Sequence, residues 1–176
     1  MTQRPRGIEH IGFTVPDHDA AVSFIKQAFG ATELFSLVRK SDDPMGADQL
    51  NEKNGLRPGS AIVAVSMLRL GNGPNLEVFE IDRPGHQRPL GISDIGMHHV
   101  SLNVDDIDAA CARFEKAGGE LMSCPYELTG QEEGQGNFGR FGLTPWGMLI
   151  EFEQFETPIQ LDEGASEERW YPARES

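Results

Sequence analysis

GMHHVSLNV, residues 96–104, aligns without a gap on GIEHIGFTV, residues 7–15, and this pair decides how the rest of the chain is read. Self-similarity of this kind marks a duplicated supersecondary unit. Each copy runs into an aspartate-rich helix start, DHDAAVSFIKQAFGA at 17–31 and DDIDAACARFEKAGG at 105–119. Ala21, Phe24, Ile25 and Ala28 recur at helical spacing in the first, and Ile107, Ala110, Cys111, Phe114 and Ala117 in the second, so each helix buries one stripe. Asp17 or Asp19, and Asp105 or Asp106, suit the N-caps, while Gly30 and Gly118 suit the C-terminal stops.

The closing segments correspond as well. GPNLEVF at 73–79 aligns on GMLIEFE at 147–153, each with a glutamate four residues beyond a turn glycine. β-like runs at 60–70 and 138–144 precede them, joined through GNGP and TPWG turns, and 31–39 and 120–124 fill the remaining strand position. The order in each half is β-α-β-β-β, an α+β arrangement. The first module spans 7–81, a Pro-, Gly- and charge-rich linker 82–95, the second module 96–156, and an acidic C-terminal tail 157–176. The tail's acidic stretch is expected to be solvated, with Trp170 and Tyr171 available to dock on a neighbour. Residues 40–57 form a long excursion, a length typical of lids or substrate-contacting segments.

Composition narrows the function. With 176 residues, 38% of them hydrophobic, the chain can bury a core without staples. A formal charge of −13, from 28 acidic against 15 basic residues, argues against a nucleic-acid backbone or an anionic membrane as partner and leaves small molecules and proteins. Cys111 and Cys124 sit in no metal-ligand spacing and read as free thiols of a reducing compartment. The N-terminal stretch carries no apolar run of a secretory signal, and no segment approaches the roughly 20 apolar residues of a membrane span, so a cytoplasmic location is expected.

Strand alternation then singles out four residues. In the first copy Ile11, Phe13 and Val15 share one face and His10, Gly12 and Thr14 the other; in the second, Val100, Leu102 and Val104 oppose His99, Ser101 and Asn103. An apolar face packs on the helix, and a polar face carries a histidine at the same place twice. Imidazole nitrogens and carboxylate oxygens suit Zn, Ni, Co, Mn or Fe, so His10, Glu77, His99 and Glu151 form a candidate ligand set for one divalent ion. A lone strand histidine is ordinarily a hydrogen-bonded structural residue, and the duplication is what weighs against that reading here. His98 is the rival of His99, although its register partner is Glu9 and alternation turns it the other way. Glu80 lies on the face opposite Glu77, and Glu153 shares the face of Glu151 as a weaker alternative. His18 and His86 read as surface residues.

IEHIGFTV with its helix and FGA, GNGPNLEVFE, GMHHVSLNVDDIDAA and GRFGLTPWGMLIEF together resemble the vicinal oxygen chelate superfamily, which includes glyoxalase I, methylmalonyl-CoA epimerase, extradiol dioxygenases and bleomycin resistance proteins. The resemblance runs from about residue 7 to residue 155. It implies two paired βαβββ modules forming a curved eight-stranded mixed sheet, helices outside, with the metal ligands on the first and last strands of each module, the positions of His10, Glu77, His99 and Glu151.

A His-Glu-His-Glu set looks more like the isomerases, epimerases and glyoxalases than the dioxygenases, and the glutathione-contacting segments of glyoxalase I have no clear counterpart. The expected activity is therefore a metal-dependent isomerase, epimerase or glyoxalase-type lyase working by proton transfer next to the carbonyl of a small α-hydroxy or α-keto substrate. An extradiol-type dioxygenase and a non-catalytic binding protein of the same fold are the alternatives. The family implies a metal-ligating glutamate as base, here Glu151 in preference to Glu77, and commonly a homodimer. Arg140 is a candidate for orienting a substrate anion, and Phe138, Phe141 and Trp146 for lining the pocket, against the blander readings of a surface ion pair and of core aromatics. Thr144 replaces the aspartate frequent in the family's D-P-x-G turn.

Overall fold

The fold is described from a computed structural model, for residues 5–82 and 89–173. The first half contains β1 (His10–Thr14), α1 (His18–Phe29), β2 (Thr32–Val38), β3 (Met45–Gly46), α2 (Ala47–Asn54), β4 (Ala61–Arg69) and β5 (Asn75–Ile81). The second contains β6 (His99–Asn103), α3 (Ile107–Lys116), β7 (Glu120–Leu121), β8 (Tyr126–Glu127), a 3-10 turn at Gly130–Glu132, β9 (Phe138–Leu143) and β10 (Leu149–Gln154). Apart from the short β3, α2, β8 and the 3-10 turn, both halves follow the β-α-β-β-β order.

The strands form two mixed sheets, each a four-strand path with one short strand beside it: β1-β5-β4-β2 with β3 on β4, and β6-β10-β9-β7 with β8 on β9. In both, the first and last strands of the module are parallel neighbours, and the remaining pairs are antiparallel. The described residues fall into two compact units, 5–26 with 30–82, and 27–29 with 89–173. Residues 83–88 of the linker at 82–95 lie outside the described residues.

The helices end where their local chemistry dictates. Asp17, in extended conformation, caps α1 by accepting from the Asp19 and Ala20 amides, and Gly30 closes it in the left-handed region at φ 72°. Asp106 caps α3 through the Ala109 amide, and Gly118 follows its last turn at φ 106°. Ala21, Phe24, Ile25 and Ala28 of α1, and Ile107, Ala110, Cys111 and Phe114 of α3, are buried. In the second unit Phe114 meets Phe152 edge-on at 5.2 Å and stacks on Phe29 at 6.0 Å. Both cysteines are free, Cys111 buried and Cys124 exposed. Among the described residues no helix is long and apolar enough to cross a membrane.

One expectation is corrected, and two segments gain detail. The 40–57 excursion contains β3 and α2, and its Met45, Leu50 and Leu56 pack against the buried Val38, Ile62 and Val65. His18 is buried at 6% exposure rather than at the surface, since the start of α1 is drawn onto β5 through a bond from its amide to Glu80. His86 lies outside the described residues. The acidic stretch of the tail is exposed, as expected, while Arg169 pairs with Glu153 and Tyr171 packs edge-on against Phe155 at 5.4 Å.

Candidate functional site

Parallel pairing of first and last strands puts each repeated histidine beside the repeated glutamate. Gly12 lies opposite Glu77 and His10 opposite Asn75, while Ser101 lies opposite Glu151 and His99 opposite Leu149. Register partners share a face, as do residues two apart along a strand. The result is the same contact in both copies: His10 Nε2 lies 3.5 Å from Glu77 Oε2, and His99 Nε2 lies 3.3 Å from Glu151 Oε2. A Cβ at Gly12 would make only ordinary contacts, 3.6 Å from Glu77 Oε2 and 3.5 Å from the Phe79 ring, in keeping with Ser101 at the equivalent position of the second copy.

The spacing fits a shared cation. Two bonds of about 2.1 Å meeting at a tetrahedral angle span roughly 3.4 Å between donor atoms. Each pair therefore presents one nitrogen and one oxygen at the separation of neighbouring ligands of a divalent ion. Among the described residues no group of three or more His, Cys, Asp or Glu side chains is arranged to hold a metal ion by itself.

The histidines are held differently. His10 Nδ1 contacts Glu9 Oε2 at 2.5 Å, and Glu9 is itself anchored by Asn75, whose Nδ2 donates to Oε1 at 2.7 Å. The Glu9 carboxylate raises the His10 pKa. His99 Nδ1 instead meets His98 Nδ1 at 2.6 Å, and its pKa is lowered by burial and by the second imidazole, which favours the neutral, ligating form. Phe141 packs edge-on against His99 at 5.6 Å.

The second sheet carries more chemistry on this face than the first. Gly139 of β9 pairs with Tyr126 on one side and Glu153 on the other, so Tyr126 shares the glutamate face. Glu153 is 7% exposed; it accepts from the Ser101 hydroxyl at 2.6 Å and pairs with Arg169 at 3.1 Å. Arg169 also pairs with Glu132, and its guanidinium lies over the Phe155 ring at 4.8 Å. Burial, then Glu153 and Glu132, pushes the Glu151 carboxyl up to about 7, with Ser101 and Arg169 pulling the other way. Burial and the same carboxylates raise the Tyr126 hydroxyl.

Of the candidate substrate residues, the structure brings Phe141 to the histidine and turns Arg140 away. Arg140 pairs with Phe152 on the helix-facing side, and its Nε donates to the Ser123 carbonyl. Phe138 alternates with Phe141 and lies on the Arg140 side. Trp146 sits half-buried in the turn at 144–147, where the Thr144 hydroxyl accepts from the Met148 amide at 2.9 Å, the capping role an aspartate would fill. Glu80 pairs with Lys40 at 3.1 Å, on the face away from Glu77. Sequence reading passed over Glu9, Tyr126 and Arg169. The one available signal was ERWY at 168–171, a cation between an acidic run and two aromatics.

Comparison with known proteins agrees with this architecture. The profile of the Glyoxalase/Bleomycin resistance protein/Dioxygenase superfamily matches residues 9–136. A 2-epi-5-epi-valiolone epimerase from an Actinomyces species is 35% identical over 147 residues, covering 82% of this chain and 76% of the relative. Among solved structures, a glyoxalase family protein from Bacillus cereus superposes with a TM-score of 0.67 at 17% identity, covering 87% of this chain and 96% of that one. A mutant of the fosfomycin resistance protein FosX from Listeria monocytogenes, in complex with Mn(II) and a dihydroxypropylphosphonic acid, superposes at 0.53 with 14% identity, over 85% of this chain and 90% of that one. The chain belongs to the glyoxalase/bleomycin resistance/dioxygenase superfamily, the vicinal oxygen chelate group. Its kinship with a named epimerase supports an enzyme of the epimerase or isomerase type.

Proposed function

We propose that this chain is a metal-dependent epimerase of a small hydroxylated ketone, acting by proton transfer beside the carbonyl, with His10, Glu77, His99 and Glu151 holding one divalent ion. The observation that carries the reading is the twofold recurrence of a histidine Nε2 at 3.3–3.5 Å from a last-strand glutamate. The epimerase relative supports the reaction type and a ketone substrate, and the Mn(II) complex of FosX supports a divalent ion in this fold.

A bound divalent ion would act there as a Lewis acid for the oxygen on which negative charge develops. Glu151 removes the proton next to the carbonyl and returns it to the other face. In the metal-free fold burial and the Glu153 and Glu132 carboxylates raise the Glu151 carboxyl, an environment that favours its taking up a proton. Ser101 and Arg169 hold Glu153 by its oxygens, which keeps that second carboxylate turned from the reacting carbon. Phe141 and Tyr126 give this face an aromatic floor and a hydroxyl donor for a hydroxylated ring. Pairing of two chains, common in the family, completes the reading and is checked by light scattering.

The test combines metal analysis with solvent-deuterium exchange into 2-epi-5-epi-valiolone and a panel of α-hydroxy ketones. Wild type is expected to retain a stoichiometric divalent ion and to exchange one carbon-bound hydrogen. His10→Ala and Glu151→Ala are expected to lose both. Wild type that binds no divalent ion when supplied with one, and tolerates both changes, overturns the metal reading and favours a binding protein. Oxygen uptake with catechols favours a dioxygenase instead.

A further inference from the structure

The two half-sites differ in what each histidine meets behind its metal-facing nitrogen, and that difference has a chemical consequence. A carboxylate can only accept. Glu9 Oε2 at 2.5 Å therefore requires the proton of neutral His10 to sit on Nδ1, leaving the Nε2 lone pair toward Glu77. Asn75, opposite His10 in the register, pins the other oxygen of Glu9 at 2.7 Å and also donates its backbone amide to the Glu9 carbonyl at 2.9 Å, so one residue of β5 holds both the side chain and the backbone of the acceptor. In the second copy the equivalent positions carry His98 and Leu149. An imidazole can donate or accept. The contact of 2.6 Å between His98 Nδ1 and His99 Nδ1 is satisfied whichever ring carries the proton. If His98 donates, the proton of His99 moves to Nε2 and blocks the lone pair.

We infer that Glu9 and Asn75 are positioning residues that hold His10 in the single tautomer ready to ligate a divalent ion through Nε2, while the His98–His99 pair leaves His99 able to exchange between tautomers. This rests on the metal reading above and deepens it. A carboxylate behind a ligating imidazole fixes the ring and raises its basicity, and losing such a partner ordinarily costs about ten- to a hundredfold in metal affinity. The asymmetry also fits the preference for Glu151 as base: it lies beside the histidine whose ring proton is not fixed, whereas Glu77 lies beside one that is.

The experiment uses the full chain with Co(II) and Mn(II) as probes. Long-range proton–nitrogen NMR of the metal-free protein at mildly alkaline pH is expected to find His10 in the Nδ1–H tautomer alone and His99 in both. Glu9→Gln, whose amide can donate as well as accept, is expected to mix the His10 tautomers and weaken Co(II) binding about ten- to a hundredfold. His98→Glu, which gives the second copy a carboxylate, is expected to lock His99 and tighten binding. Asn75→Leu, which copies the second half, is a milder variant expected to fall between wild type and Glu9→Gln. Wild type that binds neither ion overturns the underlying metal reading. Wild type that binds, with Glu9→Gln and Asn75→Leu binding equally well and His10 already mixed, overturns the positioning inference alone.

Discussion

Glu151 is the residue whose protonation bears most directly on both stability and metal binding. Its carboxyl is raised from 4.5 to about 7 in the fold, chiefly by burial and then by Glu153 and Glu132. The folded state therefore holds a proton that the unfolded chain has lost, so this group's contribution to stability is full below about pH 4.5 and falls as pH rises to about 7. Urea denaturation of the metal-free protein across that window is expected to show a declining midpoint, and Glu151→Gln is expected to flatten the decline. A divalent ion reverses the preference by favouring the carboxylate. Its affinity is expected to rise with pH through the same window, with proton release detectable by calorimetry in buffers of different ionisation enthalpy. Gly142 is a second residue with a sharp expectation: a Cβ there would lie 2.7 Å from the Phe114 ring and 3.0 Å from the Glu120 carbonyl, so Gly142→Ala is expected to destabilise by about 1–3 kcal/mol in denaturant titration.

Among elements, α3 and the strands beneath it hold the second half-site in register. Phe114 is fully buried, stacks on Phe29 and meets Phe152, the β10 residue beside Glu151. Phe114→Ala is expected to cost about 3–5 kcal/mol and to loosen β10, read as faster amide exchange along Leu149–Gln154. The first half-site has a different support. Phe79, two residues beyond Glu77, is covered by the cluster that Met45, Leu50 and Leu56 complete, so α2 walls one end of the ligand face. The N-cap of α1 carries a second duty, because Asp17 Oδ1 also accepts from Lys40 at 3.0 Å at the entrance to that excursion. Asp17→Ala is expected to cost about 1 kcal/mol in thermal denaturation through the lost cap, with little added for the exposed ion pair.

At the scale of the whole molecule, the chain returns on itself to finish the site. Arg169, sixteen residues past Glu153, pairs with that nearly buried carboxylate and with Glu132 while lying over Phe155 and Tyr171. Arg169→Ala leaves Glu153 uncompensated. Because the guanidinium is a third exposed, the expected loss is about 1–3 kcal/mol, below that of a fully buried pair. The same change removes a cation that lowers the Glu151 pKa, so the upper end of the stability decline is expected to move to higher pH while its onset stays in place. A chain ending before Arg169 is expected to behave alike in both measurements.

Periodicity, caps and the duplication belong to the sequence, because a strand's two-residue period and a helix's buried stripe are written in side-chain type alone. They were enough for the β-α-β-β-β order, the buried faces of α1 and α3, and the pairing of His10 with Glu77 and of His99 with Glu151 by position. Tertiary structure decided what depends on long-range register: that Arg140 faces the helix and Phe141 the histidine, that the 40–57 segment packs on the sheet, and that His18 is buried. Arg169 meets Glu153 only because the tail folds back, and Tyr126 reaches the site face only because β8 pairs with β9 at Gly139. Glu9 and His98 look alike to alternation, which turns both from the site. Their side chains curl back onto the neighbouring ring nitrogen, a local geometry that residue spacing does not encode and hydrogen-bond chemistry does.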